Sequence, residues 1–503
     1  MTPGRTTARL WRGRALSAPV EPWPDGGHVD DVVVGAGLTG LTTALLLARE
    51  GRRVVVLEAR QIGAVTTGAS TGKVSLLQGT KLSRILSIHS ERVGQAYVEA
   101  NREGQQWLLT FCETHDVPFQ FREAVTYAAS EEELRGVRDE HAAAQRLGLD
   151  VTWHDSLDLP FPVHGATILR DQAQLDPMEV LGALADAVRA HGGSIFEGCR
   201  VTGVSKLGRP TVTTADGRRL GCENVVLATG TPMLDRGLYF AKLEAKRSYL
   251  LAFASADAPV SMLLSAGTPT RSVRDVPQAD GLPLLLVGGS GHIVGRAGSE
   301  AAQLDELRSW AGRYFSPAAE THAWSAQDYT SHDGIPYVGT MPRGWGRIYV
   351  ATGFDKWGLS NGVAAARNIS GRILGSTPSW AKPLGRRITH PRAAAHLVTA
   401  NLRIGAVAAS SLVRAELAEA EAAPAEGQGS VGRSGLSPVP VATSTAEQGA
   451  TCTVSAICTH LGGTLHWNDA ERTWDCPLHG SRFAPDGAVL EGPATDPLMA
   501  RGP

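Results

Sequence analysis

The chain has 503 residues, and its 48 Lys and Arg against 50 Asp and Glu leave a formal net charge of −2, a balance that argues against a nucleic-acid partner. A hydrophobic content of 43% excludes global disorder. No apolar run reaches the ~18–20 residues of a membrane span, and six cysteines are too few for a secreted disulfide framework.

In chain order, residues 1–29 read as an irregular Pro/Gly/Arg-rich lead-in. Its arginines (Arg5, Arg9, Arg12, Arg14) flank no apolar signal core, so a cytoplasmic location is expected. From Asp30 the pattern becomes an apolar run (Val32–Val34), the turn Gly35-Ala36-Gly37-Leu38-Thr39-Gly40, a helix-length stretch and a second run, Val54–Leu57. This is a β-α-β unit with a dinucleotide-binding fingerprint. Gly35 permits the tight turn, Gly37 the approach of backbone amides to a pyrophosphate, and Gly40 close helix–strand packing. Glu58, 21 residues after Gly37, suits an adenosine ribose. The motif alone does not separate FAD from NAD.

Residues 84–110 and 131–147 have helical character, and so does the stretch from Leu175 to Ala190. Between about 110 and 350, short β-rich runs (Val125–Ala128, Thr211–Thr214, Ser248–Phe253) alternate with turns, as expected for an antiparallel sheet inserted into an α/β domain. Val201, Thr229 and Gly230 stand at strand positions, and Gly358, Leu359 and Ser360 open an Ala-rich helix. Residues 416–450 shift to Ala/Glu and then Gly/Ser/Pro composition, which reads as a linker whose second half has room for weak strands.

The span from about Asp30 to Thr377 resembles the D-amino-acid oxidase/glycine oxidase type of FAD-dependent oxidoreductase. The resemblance rests on the glycine fingerprint, Ala228-Thr229-Gly230, and Asp333-Gly334-Ile335-Pro336-Tyr337-Val338-Gly339. It implies FAD as cofactor, with Leu38, Thr39 and Glu58 in its site, the Val201 backbone at the adenine, and Gly358–Ser360 facing the isoalloxazine. A helix N-terminus there would stabilise the negative charge of reduced flavin.

Near the end stand Cys458-Thr459-His460 and Cys476-Pro477-Leu478-His479. Two thiolates and two imidazoles could also hold Zn²⁺, but C-x-H spacing within Gly-flanked loops resembles the Rieske [2Fe–2S] signature. That resemblance implies Cys458, His460, Cys476 and His479 as iron ligands. The extra cysteine pair of respiratory Rieske proteins is replaced by Gly463 and Leu478, and a tyrosine that often donates to a cluster sulfur is replaced by Phe483. With fewer donors to the sulfurs, an intermediate or low potential is expected.

The whole chain therefore resembles bacterial FAD oxidoreductases of the amino-acid-oxidase type with a C-terminal Rieske domain. The expected fold class is α/β plus β: a Rossmann-like FAD-binding domain with an inserted antiparallel-sheet substrate domain, then a small all-β Rieske domain. Expected boundaries are 1–29 for the lead-in, 30–390 for the oxidoreductase (FAD-binding parts about 30–80, 170–232 and 330–377), 391–435 for a helix and linker, and 436–503 for the Rieske domain.

The resemblance implies a dehydrogenase acting on a small amine-like substrate and passing single electrons through the cluster to an acceptor that the sequence does not identify. The alternative is a reductase component serving a partner enzyme, against which stands the lack of a second G-x-G-x-x-G after a strand. Where amino-acid-oxidising relatives place an arginine for the substrate carboxylate, this chain has Asp328, with Lys356 nearby. Reversed charge favours a cationic amine or a partner surface, and an ion pair with Lys356 or an arginine is the plainer alternative. Lys73 is a candidate for contact with flavin or oxygen, or else a solvated or phosphate-facing cation. His332 is a candidate base or a turn histidine.

Overall fold

In a computed structural model, the structure describes residues 9–11, 23–24, 27–205, 207–316, 319–385, 391–434, 439–446 and 449–501, with side chains omitted for 391–396. The strand His28–Val34 is the centre of an α/β sheet, paired in parallel with Val54–Leu57 on one side and Arg219–Leu227 on the other. Ser194–Phe196 and Ile348–Thr352 extend the parallel ladder, and Tyr337–Thr340 closes one edge antiparallel. Continuous β-branched runs such as Val54–Leu57 are buried throughout, as parallel strands covered on both faces require. The covering helix Leu38–Arg49 packs against both Pro177–Ala190 and Gly358–Leu374.

A second, nine-stranded sheet is mostly antiparallel. One face (Tyr249, Leu251, Val273, Leu285) packs on Leu304, Leu307 and Ala311 of the helix Glu300–Tyr314. The opposite face carries Leu250, Ala252, Leu286 and Trp324. The expected fold is present, with three local differences. Thr211–Thr214 pairs with Arg219–Leu227 and belongs to the first sheet. The helical stretch expected over 84–110 is two helices, Lys81–Ile88 and Glu91–Thr114, broken at His89-Ser90. In the lead-in, Trp11 is buried beside Leu250 and Trp324 and donates Nε1–H to Ser70 O at 2.6 Å. A ring of that size gains more from the core than from a surface path. Arg9 donates Nη1–H to Gly63 O at 3.4 Å, whereas Arg5, Arg12 and Arg14 lie outside the described residues.

The long helix Pro391–Leu417 leads to two small sheets. One contains Gly429–Gly432, Val441–Thr445 and Thr451–Ser455. The other contains His466–Asn468, Thr473–Asp475, Arg482–Phe483 and Val489–Glu491. Gly429–Gly432 precedes the boundary expected at 436, because glycines and serines gave no strand signal there.

A buried charge cluster joins this C-terminal unit to the inserted sheet. Arg247, only 1% exposed, bonds to Glu471 at 2.8 Å and Glu491 at 3.5 Å. Arg482 reaches the same two carboxylates at 2.8 and 3.4 Å, and Asp475 at 3.0 Å. Gln327 donates to Gly480 O at 2.8 Å, and Tyr329 to Gly492 O at 3.2 Å. Burial alone would raise the Glu471 and Asp475 pKa values, but the Arg247 and Arg482 guanidiniums outweigh it and hold both below the ordinary carboxylate range.

Replacing Arg247 with Met leaves Arg482 to balance Glu471, Asp475 and Glu491 by itself and should cost about 3–5 kcal/mol, read as a lowered denaturation midpoint of the holoprotein. Because the folded pKa values of Glu471 and Asp475 are depressed, their contribution is complete above the unfolded values of about 4. It is lost as pH falls through the folded ones. Acid unfolding of the wild type should therefore set in only below about pH 4, and an Arg247→Met midpoint equal to wild type would rule out the cluster as the fastening.

Candidate functional site

A long cavity runs from the glycine turn to the start of the helix Gly358–Leu374. At one end Gly35, at φ +105°, lies so close to the next strand that a Cβ would sit 2.5 Å from Ala228 O. Gly37 caps the helix Leu38–Arg49 without a side-chain bond, the Leu38 amide donates to Thr67 Oγ1 at 3.3 Å, and Gly37, Leu38, Thr39 and Thr67 all line the cavity. Gly40 lies behind this wall, its Cα packed against Gly35 O. Glu58 lines the cavity and accepts the Ala36 and Arg60 amides at 2.8 Å each. Burial pushes its pKa upward. Val201 lines the same end, with Arg200 beside it bonded to Val489 O at 2.8 Å. Thr229 and Gly230 form the middle wall.

At the other end stand Lys73, Asp328, Lys356, Gly358 and Leu359. The turn into the helix holds Asp355 and Lys356 at φ +51° and +70°, a conformation that non-glycine residues keep only when their surroundings impose it. Asp355 is fixed by Lys81 at 2.6 Å and by the Thr330 hydroxyl at 2.6 Å. The Lys356 amide donates to Asp328 Oδ2, while Asp328 Oδ1 is buried with no hydrogen-bond partner. Burial, then the neighbouring Asp355 charge, raises the Asp328 pKa. Burial opposes ionisation of Asp355 as well, but Lys81 overrides it and that pKa is lowered. Lys73 donates Nζ–H to Leu263 O and to Ser272 Oγ at 2.8 Å each, and burial followed by the Arg274 charge lowers its pKa well below the usual value.

Two expected site residues are placed elsewhere. The Ser360 hydroxyl turns away from the cavity and donates to Asn101 Oδ1 at 2.7 Å. Helical rotation carries it inward past Gly358 and Leu359. His332 lies outside this cavity, its Nε2 3.2 Å from Ala241 O and its pKa lowered by burial. The strand Ala319–Ser331 ends just before it, and the chain turns away. One wall had no sequence signal: residues 490–495 of the C-terminal unit line the cavity between Leu490 and Thr495.

In that unit Cys458 and Cys476 are buried and their sulfurs are in hydrogen-bond contact, with Ser481 also bonded to Cys458. The His460 and His479 rings lie 5.2 Å apart, perpendicular to each other. Among the described residues no three His, Cys, Asp or Glu side chains converge on one ion. The arrangement is two sulfurs together and two imidazoles together, the donor set of a cluster with a cysteine iron and a histidine iron. His460 Nε2 is buried and has Asp235 Oδ1 3.5 Å away, which leaves the other ring nitrogen for a metal. Gly463 and Leu478 are neighbours, a Gly463 Cβ falling 2.8 Å from the Leu478 side chain, so the missing cysteine pair would have met here. Phe240 lies 5.3 Å from the His479 ring, and Gly480, at φ +81°, packs against Ala245 with no room for a Cβ.

Fold and site together define a flavin oxidoreductase carrying an iron–sulfur module. The FAD dependent oxidoreductase (DAO) family matches residues 30–372, and the Rieske [2Fe-2S] domain matches residues 418–500. The chain belongs to the DAO family and has a C-terminal Rieske domain; its cofactors are FAD and a [2Fe–2S] cluster. YhfW of Bacillus subtilis (strain 168), named as a Rieske 2Fe-2S iron-sulfur protein, is 30% identical over 478 residues, covering 93% of this chain and 92% of that protein. Glycine oxidase from Geobacillus kaustophilus superposes on 72% of this chain and all of its own (TM-score 0.59, 17% identity). L-amino acid deaminase from Proteus vulgaris superposes on 74% of this chain and all of its own (TM-score 0.59, 15% identity). These two likenesses establish the shared fold. Among the described residues no helix is long and apolar enough to cross a membrane.

Phe483 is fully buried in the same cluster of side chains as Cys458 and Cys476. Phe483→Tyr adds a donor beside the sulfurs, and one hydrogen bond of about 1 kcal/mol corresponds to a rise on the order of 50 mV for a one-electron couple. An EPR-monitored redox titration checks this, and a lowered potential would contradict it.

Proposed function

We propose that the protein is a dehydrogenase for a small cationic amine or amino-acid-like compound, oxidising a C–N bond and passing electrons singly through the Rieske cluster to an acceptor. The observation that carries the substrate class is the unpaired oxygen of Asp328. Of the three carboxylates lining the cavity, Glu58 accepts two amides and Glu491 faces two arginines. Asp328 alone keeps a buried oxygen without a partner. A buried acceptor of this kind is costly unless a donor fills the site, and an ammonium group supplies one.

Bound FAD supplies a two-electron acceptor and the cluster a one-electron carrier. The residues of this chain do the rest. Asp328 orients the ammonium, and the Lys356 amide fixes the Asp328 carboxylate. Lys73 and Lys356 border the same end of the cavity, and the open amides of the helix at Gly358 face it with their partial positive charge. Residues 490–495 wall the cavity with a segment of the C-terminal unit, which brings the two redox modules together.

Asp328→Asn keeps the acceptor for the Lys356 amide but removes the charge. Loss of a charged hydrogen bond of about 1.5–3 kcal/mol should raise KM for amines roughly 10- to 150-fold, read as anaerobic flavin reduction across an amine panel. Because the Asp328 pKa is raised, affinity for a protonated amine should increase with pH through that value in the wild type and not in the variant. Equal KM values would remove Asp328 from recognition. Flavin reduction by hydroxy acids and by no amine would sink the C–N reading.

A further inference from the structure

A second cavity, of about 470 Å³, lies where the long helix Pro391–Leu417, the ends of two strands of the inserted sheet, and the cluster loop meet. Its wall includes Pro477, Leu478 and Gly480, which flank the ligand positions Cys476 and His479. Three arginines face it, Arg84, Arg296 and Arg403, against one carboxylate, Glu244. That carboxylate already lies 3.3 Å from Lys246. Guanidinium groups stay charged at every working pH, so the cavity keeps an excess of positive charge.

Arg84 donates to His332 O at 3.5 Å, and the other two arginines keep uncommitted donors. Arg296 donates Nε–H to Pro477 O at 2.9 Å, and among the described residues its two Nη groups have no protein acceptor. Arg403 makes no hydrogen bond or ion pair among them. Forked, unfilled guanidinium donors in a concave site are the chemistry of phosphate and carboxylate recognition. Pro477 directly follows the ligand position Cys476, so a group held by Arg296 lies against the cluster loop. Arg403 comes from a helix outside both family matches, which end at 372 and begin at 418, so the cavity exists only where the two modules are joined.

We propose that this cavity binds the electron acceptor, and that the acceptor is a small polyanion bearing phosphate or carboxylate groups. This rests on the reading that the cluster passes electrons onward. In each transfer one electron leaves the reduced cluster, which returns to its diferric form, and the bound acceptor gains that electron. No bond is made or broken.

The test uses the full-chain holoprotein, reduced anaerobically with dithionite and mixed with anionic ferricyanide or a cationic ferrocenium salt. Arg403→Glu and Arg296→Gln should slow reoxidation by ferricyanide at least ~10-fold while leaving ferrocenium no slower. Arg209→Glu, an exposed change of equal charge outside the cavity, should leave both unchanged. Calorimetry with ferrocyanide, which is already reduced, should show binding that pyrophosphate competes away and that Arg403→Glu abolishes. A normal Rieske EPR signal with unaltered ferricyanide kinetics and ferrocyanide binding in both variants would overturn this proposal alone. Absence of that signal would overturn the electron-passing reading, and the acceptor role with it.

Discussion

The structure depends on a buried meeting of charges. Two arginines and three carboxylates hold the iron–sulfur unit against the inserted sheet, with Arg247 on one side and Arg482, Glu471, Asp475 and Glu491 on the other. Burying five charges is expensive, and the cost is offset only when each group finds its partner. An apolar patch would hold the units together in many neighbouring orientations at similar energy. A charge cluster penalises every orientation but one, and the proposed electron transfer needs that selectivity because its rate depends on the separation between the two redox groups.

Strand alternation divides the work within three consecutive residues. Gln327 and Tyr329 reach across to Gly480 and Gly492 of the iron–sulfur unit. Asp328 between them points the other way and accepts the Lys356 amide. Successive side chains on a strand face opposite sides, so one segment fastens the module and presents the buried carboxylate together. A one-residue slip in this strand would exchange the two roles.

Much of this was legible in the sequence, and what was not has a common cause. The glycine turn and the C-x-H and C-x-x-H pairs are local, because a phosphate or an iron atom dictates spacing over a few residues. Asp328 stood out because its charge opposes the one expected there. His332, four residues on, looked equally suitable, but the strand ends at Ser331 and the chain leaves the cavity. Arg247, Glu471 and Arg482 carry no signature, since 224 residues separate Arg247 from Glu471 and neither lies in a motif. The same holds for Trp11 and for the wall at residues 490–495. Their roles follow from which surfaces the finished sheets bring together.

The helix Pro391–Leu417 bears on how electrons can leave. A flexible tether would let the iron–sulfur unit swing out to meet a large partner, with an effective concentration set by its length. Here 27 residues form a rod of about 40 Å at 1.5 Å per residue. It is docked through Asn401, which donates to Ala241 O at 2.9 Å, close to Phe240 and the histidine pair. The histidine edge is therefore covered by the protein's own flavin-bearing unit, and the charge cluster resists its release. In the proposed electron path, a module fixed in this way receives electrons through the covered edge without moving. The acceptor has to come to it, and a cavity beside the cluster loop admits a small molecule where it would not admit the face of another protein.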